Sequence, residues 1–577
     1  MIEKKRKNLF DTSNPEIYNE AVKTLKEKDV QVVNFEITRK IANVIKSMYG
    51  PKGLNKMIIP ITNETEITQK GDKVVKAFKN RLPITLMLIE LMKAQEEKCG
   101  DGTKTAFLFT ALLLDKSNEM ISLGISPQTI NNGFSLALNK ALEVLEENMI
   151  PFNEDSDLHL RNILTSVMNH KISYQSKDYY RDLILKMLEC NRNLLFKSKD
   201  FDFTDVLFRK VQGKSVYDSE VINGMIVYKD KPNLSLPNKF LNAKILLIQR
   251  SLDFFVQGNQ EPLKEEVEID SVDKYQQFSQ FNNNYYKKLA EFFKQKEVDI
   301  ILCQKKINSS FIDYCASMNI VALELVGENE IKKLSKLLDI PVISSTHEFT
   351  NADLGVANSV EFKKIANDEM LFINVENSKI LTFLVRGGTS QVTDELEEIL
   401  YSSLRVAIQT VKDKKYLPGG GALDCEISRV LKNYATEFPN KYQMVIREYA
   451  KAIENLPGYL IINSAEDPLD LIPQLRAEHS NGQRFMGFDC KSNKLVDVVN
   501  EGILDGYTTK KTAITIATEM ARQIIRVDGL VMVYDRKLYE KMEKEGKKVK
   551  SEKHQEKVRK YLKKNEEDMF SDLYHSK

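Results

Sequence analysis

Apolar positions recur at helical spacing over residues 15–49: Ile17, Ala21 and Leu25, then Val33, Ile37, Ile41, Val44, Ile45 and Met48. This three-and-four spacing lines one face of an α-helix. Gly50-Pro-Lys-Gly53 breaks the pattern, because glycine and proline both interrupt helices. A short hairpin is predicted across Lys56-Met-Ile-Ile-Pro and Glu66-Ile-Thr, then an apolar helix over 86–94 and further helices through Leu145. Beyond about residue 200, β-branched runs at Ile226-Val-Tyr, Ile245-Leu-Leu-Ile and Ile300-Ile-Leu alternate with helical patterns over 311–318 and 330–338, which predicts an α/β domain. A polar, weakly periodic stretch over 257–284 holds Leu263, Val267, Ile269 and Val272 among many charges and reads as an excursion from that domain. From Leu404 the chain turns helical again, with a glycine turn at Pro418-Gly-Gly-Gly-Ala, a strand-turn pair over 485–497 and a last long helix over 509–527. The order helical, α/β, helical predicts a helical domain split in sequence around an inserted α/β domain.

Length and composition narrow the class. A chain of 577 residues implies about three or four domains. With 42% apolar and 29% charged residues it has globular composition, and its net charge of +2 gives no general attraction to nucleic acid. The start, Met-Ile-Glu-Lys-Lys-Arg-Lys, is followed by no apolar stretch, so no signal peptide is expected, and no run suits a membrane span. The six cysteines (Cys99, Cys190, Cys303, Cys315, Cys425, Cys490) form no Cys-x-x-Cys pair and do not cluster with the six histidines. That argues against zinc and disulfides and fits a reducing, cytoplasmic location. The segment 535–577, dense in Lys and Glu without a sustained apolar stripe, is expected to be a solvated or disordered tail.

The most specific chemistry lies at Gly100-Asp-Gly-Thr-Lys-Thr105, followed at once by an apolar helical run over 106–114. Two glycines allow close approach of backbone to a phosphate, and the first N–H groups and positive dipole end of the helix face the anion. Asp101 is placed to hold magnesium on those phosphates. Thr103 and Thr105 are candidates to cap the helix or to donate to phosphate oxygens. An ordinary capped helix start is the alternative reading of so short a motif.

Several separated segments converge on one family. Gly50-Pro-Lys-Gly-Leu-Asn-Lys-Met, Gly100-Asp-Gly-Thr-Lys-Thr, Val385-Arg-Gly-Gly-Thr, Leu417-Pro-Gly-Gly-Gly-Ala, Gly487-Phe-Asp and Glu501-Gly-Ile-Leu-Asp occur in order. On these the chain resembles group II chaperonins over roughly residues 30–534, in particular subunits of the eukaryotic cytosolic chaperonin. Asp413-Lys-Lys-Tyr-Leu-Pro, Gly502-Ile-Leu-Asp-Gly-Tyr, Ile525-Arg-Val-Asp-Gly-Leu-Val-Met and Asp218-Ser-Glu-Val-Ile-Asn-Gly-Met look most like the theta subunit, in divergent form.

The resemblance implies a multidomain α and α/β chaperonin fold: a helical equatorial domain (1–145 and 405–534), a small intermediate domain (146–200 and 367–404) and an inserted α/β apical domain (201–366). A lid protrusion would occupy about 253–285, and 535–577 is the charged tail. It implies ATP and Mg2+ as cofactors, a double ring of eight subunits per ring with other chaperonin subunits as partners, and unfolded clients such as actin and tubulin. Neither nucleic acid nor membrane enters this expectation. By motif, Gly50, Pro51 and Gly53 would line the phosphates opposite Asp101, the metal ligand. Gly102, Thr103, Lys104 and Thr105 would donate to phosphate, Gly420 and Gly421 would lie near ribose and base, and Asp505 would accept from ribose hydroxyls. Locally, Pro418-Gly-Gly-Gly also reads as a plain loop and Asp505 as a helix N-cap.

The expected hydrolytic carboxylates are absent. Lys70, in Ile67-Thr-Gln-Lys-Gly-Asp, stands where the family has an acidic residue, with Asp72 two places on. Ser402, in Leu400-Tyr-Ser-Ser-Leu, stands at the second acidic position. An attacking water needs an acceptor that orients it and takes its proton. Serine replaces a carboxylate poorly, and lysine cannot accept at neutral pH. The family's reaction is ATP + H2O to ADP + phosphate; here binding with slow or absent hydrolysis is expected. The alternatives are a full ATPase using displaced acidic residues, such as Glu397 or Glu398, and a stand-alone binding protein on the same fold. On the predicted helix from Asn329, Ile331, Leu334 and Leu338 would face the core, leaving Lys332, Lys333 and Lys336 outward as candidate substrate contacts.

Overall fold

The computed structural model describes residues 22–25, 27–59, 66–78, 83–152, 157–168, 174–190, 203–252, 272–344, 349–366, 368–376, 378–527 and 530–533. The tail over 535–577 and residues 253–271 of the polar excursion lie outside the described residues. The chain divides into two compact units, Met1–Lys171 with Arg405–Lys577, and Ile172–Leu404.

The first unit is built around the helix Thr103–Ser122, in which every residue from Ala106 to Leu114 is buried. A helix apolar on all sides must be surrounded. Helices Glu27–Ile45, Pro83–Cys99, Tyr442–Asn463 and Tyr507–Ile525 pack against it. Tyr449 sits in this core, edge-on to Phe109 (5.3 Å between centroids) and Phe134 (5.5 Å). Its hydroxyl pairs with Thr518 Oγ1 at 2.8 Å, so a large ring is buried without an orphaned polar atom.

Short strands tie distant segments of this unit together. Lys56–Ile58 and Glu66–Thr68 form the expected hairpin, with Met57 opposite Ile67. Lys415–Pro418 lies between Leu504–Gly506 and Ile150–Pro151, with Leu417 opposite Asp505. Met486–Asp489 pairs with Lys494–Asp497. The helical reading over 15–49 is corrected at its start: Val22–Leu25 is a strand, antiparallel to Leu530–Val533. Its partner comes from the far end of the chain, and local periodicity carries no trace of such pairing.

The second unit holds a mixed eight-stranded sheet in the order Val206–Gln212, Leu381–Gly387, Glu220–Val227, Asp368–Asn374, Gly355–Ile365, Lys239–Ile248, Ile300–Cys303, Val321–Leu323. Ile245 and Leu247 point to one face, where Ile331 and Leu334 of the helix Glu328–Leu338 cover them. Leu246 and Ile248 point to the other, against Tyr286, Phe293 and Phe311. Burial on both faces explains the unbroken apolar run, since a strand covered on one side only would alternate.

Residues 272–284, read as part of a weakly periodic excursion, belong instead to the helix Val272–Gln295. Among its described side chains, Tyr286, Leu289, Ala290 and Phe293 are buried at helical spacing. Among the described residues no helix is long and apolar enough to cross a membrane.

Candidate nucleotide site

Gly100 (φ 76°) and Gly102 (φ 82°) are both left-handed, so the Gly100–Thr105 turn needs residues without a Cβ. A Cβ on Gly102 would stand 2.8 Å from Gln95 Nε2 and 3.1 Å from Thr509 Cγ2. Gly102 is the N-cap of Thr103–Ser122, and no side chain caps this end. The expectation that Thr103 or Thr105 caps the helix is therefore corrected; the helix opens on backbone alone. Gln95, fully buried, donates to Asp101 O (2.8 Å) and to Thr509 O (3.1 Å), fastening the turn to the helix Tyr507–Ile525.

The segment after Met48 is brought to the same place. Lys104 Nζ donates to Met48 O at 2.9 Å. Gly50 is left-handed (φ 80°), and a Cβ there would stand 2.3 Å from Leu460 Cδ2. Gly53 N donates to Gly50 O at 3.0 Å, closing a tight turn over Pro51 and Lys52. Asn463 Nδ2 holds Tyr49 O at 2.8 Å. Protein around the Tyr49 hydroxyl pushes its pKa up to about 12, partly offset by Lys510 and by a hydrogen bond with Thr105.

The third segment is Gly419–Gly421. Gly419 N donates to Ile503 O (2.9 Å), and a Cβ on Gly419 would lie 3.2 Å from Asp505 Oδ1. Gly420 (φ 58°) and Gly421 (φ 78°) are left-handed, with Phe488 O 2.9 Å and Pro457 Cβ 2.5 Å from where Cβ atoms would be. Gly421 is the uncapped N-cap of the helix Ala422–Tyr434. Gly102 and Gly421 thus each open a helix with no side-chain cap, a setting suited to anionic oxygens.

Asp505 is not an N-cap: the helix Tyr507–Ile525 has Gly506 at that position, without a side-chain cap. It lies in the strand Leu504–Gly506, and desolvation raises its pKa to about 6, against the pull of Lys510 and with the push of Asp424 and Asp101. Lys510 Nζ stands 2.8 Å from both carboxylate oxygens of Asp424. Burial opposes its charge, yet Asp424, Tyr49 and Asp505 together hold its ammonium above the usual lysine value. Tyr49, Thr105, Asp101, Asp424, Asp505 and Lys510, from separate segments, are thus linked through one set of charge and hydrogen-bond interactions.

Gln95, Asp424 and Lys510 were missed in sequence. Gln95 carried a signal, a polar residue on the apolar face defined by Leu88, Leu91, Met92 and Cys99. The Lys510–Asp424 pair carried none, because its members lie 86 residues apart.

Lys70 directly precedes the short helix Gly71–Ala77, and its Nζ lies 2.7 Å from Glu96 Oε1. A Cβ on Gly71 would be 3.5 Å from Lys104 Cγ, which places Lys70 and Gly71 beside the Asp101 turn. Asp72 is buried and bound by Lys76 at 2.6 Å. In the second unit, Ser402 is buried and its Oγ donates back to Glu398 O (3.0 Å) and Ile399 O (3.1 Å). Glu397 is bound by Lys210 at 2.8 Å.

On the helix Glu328–Leu338, Ile331, Leu334, Leu337 and Leu338 are buried as the spacing implied. Lys332 is exposed and pairs with Glu328 at 2.6 Å; Lys336 reaches the buried Asp205 at 2.5 Å. Lys333 is half-buried, and desolvation, aided by nearby Arg209, lowers its pKa. Lys332 and Lys336 are thus exposed as the spacing implied, each with an acidic partner, while Lys333 is only partly so.

A helical core assembled from both ends of the chain, with an α/β unit inserted in sequence between them, is the arrangement of a chaperonin subunit. The chain belongs to the TCP-1/cpn60 chaperonin family, whose model matches residues 41–534. It is 31% identical over 505 residues to the thermosome subunit alpha of Thermoplasma acidophilum, covering 87% of this chain and 92% of that one. The thermosome subunit alpha of Archaeoglobus fulgidus is 30% identical over 505 residues, again covering 87% and 92%. The thermosome subunit beta of Aeropyrum pernix is 29% identical over 503 residues, covering 86% and 90%. The chain is accordingly a group II chaperonin, of the class that folds proteins with ATP.

Proposed function

We propose that this chain is a ring subunit that binds ATP with Mg2+ in the cradle between Gly50, Asp101 and Gly420, and hydrolyses it slowly. Support for the binding half comes from three left-handed glycine turns and two uncapped helix starts, tied to one another by Lys104 on Met48 O, by the Tyr49–Thr105 hydrogen bond and by the charge interaction of Asp505 with Asp101. The donor set fits the group. Asp101 offers the hard oxygen that Mg2+ prefers, and a magnesium site of this kind uses one or two carboxylates plus phosphate oxygens. When bound, Mg2+ neutralises phosphate charge. Thr103, Lys104 and Thr105 donate to phosphate, Gly50, Pro51 and Gly53 cover its other side, Gly420 and Gly421 pass beside ribose and base, and Asp505 accepts from ribose hydroxyls.

The slow-hydrolysis half rests on Lys70 and Ser402. Lys70, paired with Glu96, has no lone pair to orient a water at neutral pH, and the Ser402 hydroxyl is spent on its own helix. Two of the candidates for displaced carboxylates are engaged as well, Asp72 by Lys76 and Glu397 by Lys210. In this reading the subunit senses nucleotide more than it consumes it.

The assembly part of the reading is a double ring of eight subunits per ring with other chaperonin subunits, in the cytoplasm, with unfolded clients such as actin and tubulin. Its theta-like character rests on the strings around Asp413, Gly502 and Ile525. Native mass measurement with photoreactive ADP tests the whole. The reading expects a large ring in which this subunit is labelled in the presence of magnesium and loses the label in Asp101→Ala. A monomer, or labelling indifferent to Asp101, would defeat it.

A further inference from the structure

His479 is 1% exposed in the helix Pro468–Ser480. Its Nδ1 lies 3.0 Å from Glu426 Oε2 and its Nε2 lies 2.9 Å from Met486 O. Glu426 is also bound by Arg429, through Nε (3.0 Å) and Nη2 (2.6 Å). Burial works against the Glu426 carboxylate, but His479 and Arg429 bring its pKa down to about 2. An ionised carboxylate and a carbonyl are acceptors only. Both ring nitrogens of His479 thus face acceptors, Glu426 on one side and the Met486 carbonyl on the other.

Both of its partners grip the Gly419–Gly421 turn. Glu426 is in the helix Ala422–Tyr434, which begins at Gly421. Met486 opens the strand Met486–Asp489, where Phe488 N donates to Gly420 O at 2.9 Å. A Cβ on Gly487 would stand 3.0 Å from that same Gly420 O. The other charged groups of this layer are committed elsewhere: Glu454, on Tyr442–Asn463, takes Lys432 at 2.9 Å and Arg476 at 2.6 Å. The buried thiols of Cys425 and Cys490 share its apolar cluster.

We propose that His479, clamped between Glu426 and the Met486 carbonyl, is a positioning residue that holds the Gly419–Gly421 turn in its nucleotide-accepting shape. The proposal rests on the nucleotide reading given above. Removing the ring would leave one or both acceptors without a partner and free the turn's two supports from each other.

The test is labelling of this subunit, in its native assembly, by photoreactive ADP over a concentration series. His479→Gln, with one donor group for two acceptors, is expected to bind about tenfold more weakly. His479→Lys, whose several N–H groups can donate to both acceptors, is expected to restore affinity. Wild-type affinity in His479→Gln would overturn the proposal. So would an assembled His479→Lys that binds as weakly as His479→Gln. If His479→Gln fails to assemble, His479→Lys alone decides: wild-type affinity supports the proposal, and affinity about tenfold lower overturns it. Failure of wild type to label at any concentration is a different result, and defeats the nucleotide reading itself.

Discussion

Lys70 Nζ lies 2.7 Å from Glu96 Oε1, and Glu96 O in turn accepts from Gly100 N at 2.8 Å. The cation standing at the acidic position is thus tied to the helix that delivers the Asp101 turn. Restoring carboxylates at both vacated positions tests what this replacement does. A positioned general base contributes on the order of 10²–10⁴ in rate. Lys70→Asp with Ser402→Asp is expected to raise single-turnover hydrolysis by on the order of 10²-fold, measured as phosphate released. Lys70→Asp alone should gain less and lose some thermal stability, because two carboxylates would then face each other.

Gln95 is the fastener under the metal turn. Gln95→Leu keeps the volume but leaves the carbonyls of Asp101 and Thr509 without their donor. An unsatisfied buried acceptor costs about 1–3 kcal/mol. Thermal melting should fall accordingly, and magnesium-dependent nucleotide labelling should weaken more than magnesium-free labelling.

Gly421→Ala tests the second turn. The left-handed conformation disfavours alanine by about 1–2 kcal/mol, and the new methyl would stand 2.5 Å from Pro457 Cβ. Denaturant melts should show a loss of at least about 2 kcal/mol. The same change at Gly124, where a Cβ meets nothing within 4 Å, should lose only the left-handed term of about 1–2 kcal/mol.

Asp505 predicts a pH slope. Its folded-state pKa stands at about 6 against a usual 3.8, so the folded chain binds the proton more tightly than the unfolded one. The stabilisation is complete below the ordinary carboxylate range and is lost as pH rises through about 6. Asp505→Asn should flatten melting temperature between about pH 4 and 6, and should be the more stable protein at pH 7 by on the order of 1–3 kcal/mol. An unchanged slope would show that another group carries it.

The turns were legible in sequence for a physical reason. Gly102, Gly420 and Gly421 occupy conformations that only glycine adopts readily, and each stands where an apolar helical pattern begins. The all-round apolar run after Thr105 likewise announces a central helix. What stayed hidden depends on partners far along the chain. Val22–Leu25 looks helical until Leu530–Val533 pairs with it. Lys510 looks like one more surface lysine until Asp424 meets it in the interior. His479 sits in an unremarkable helix end, and only the fold supplies Glu426 and Met486 O on its two sides. The ion pair of Lys336 on Glu328–Leu338 stayed hidden for the same reason, since Asp205 comes from elsewhere to take it.

Single-turnover hydrolysis in assembled rings where only this subunit keeps Asp101, its proposed metal ligand, and the others carry alanine at the matching position tests the central claim most directly. Two missing carboxylates predict phosphate release on the order of 10²-fold slower than from an ordinary subunit measured in the same way, with nucleotide still bound. A rate equal to that of an ordinary subunit would contradict the account.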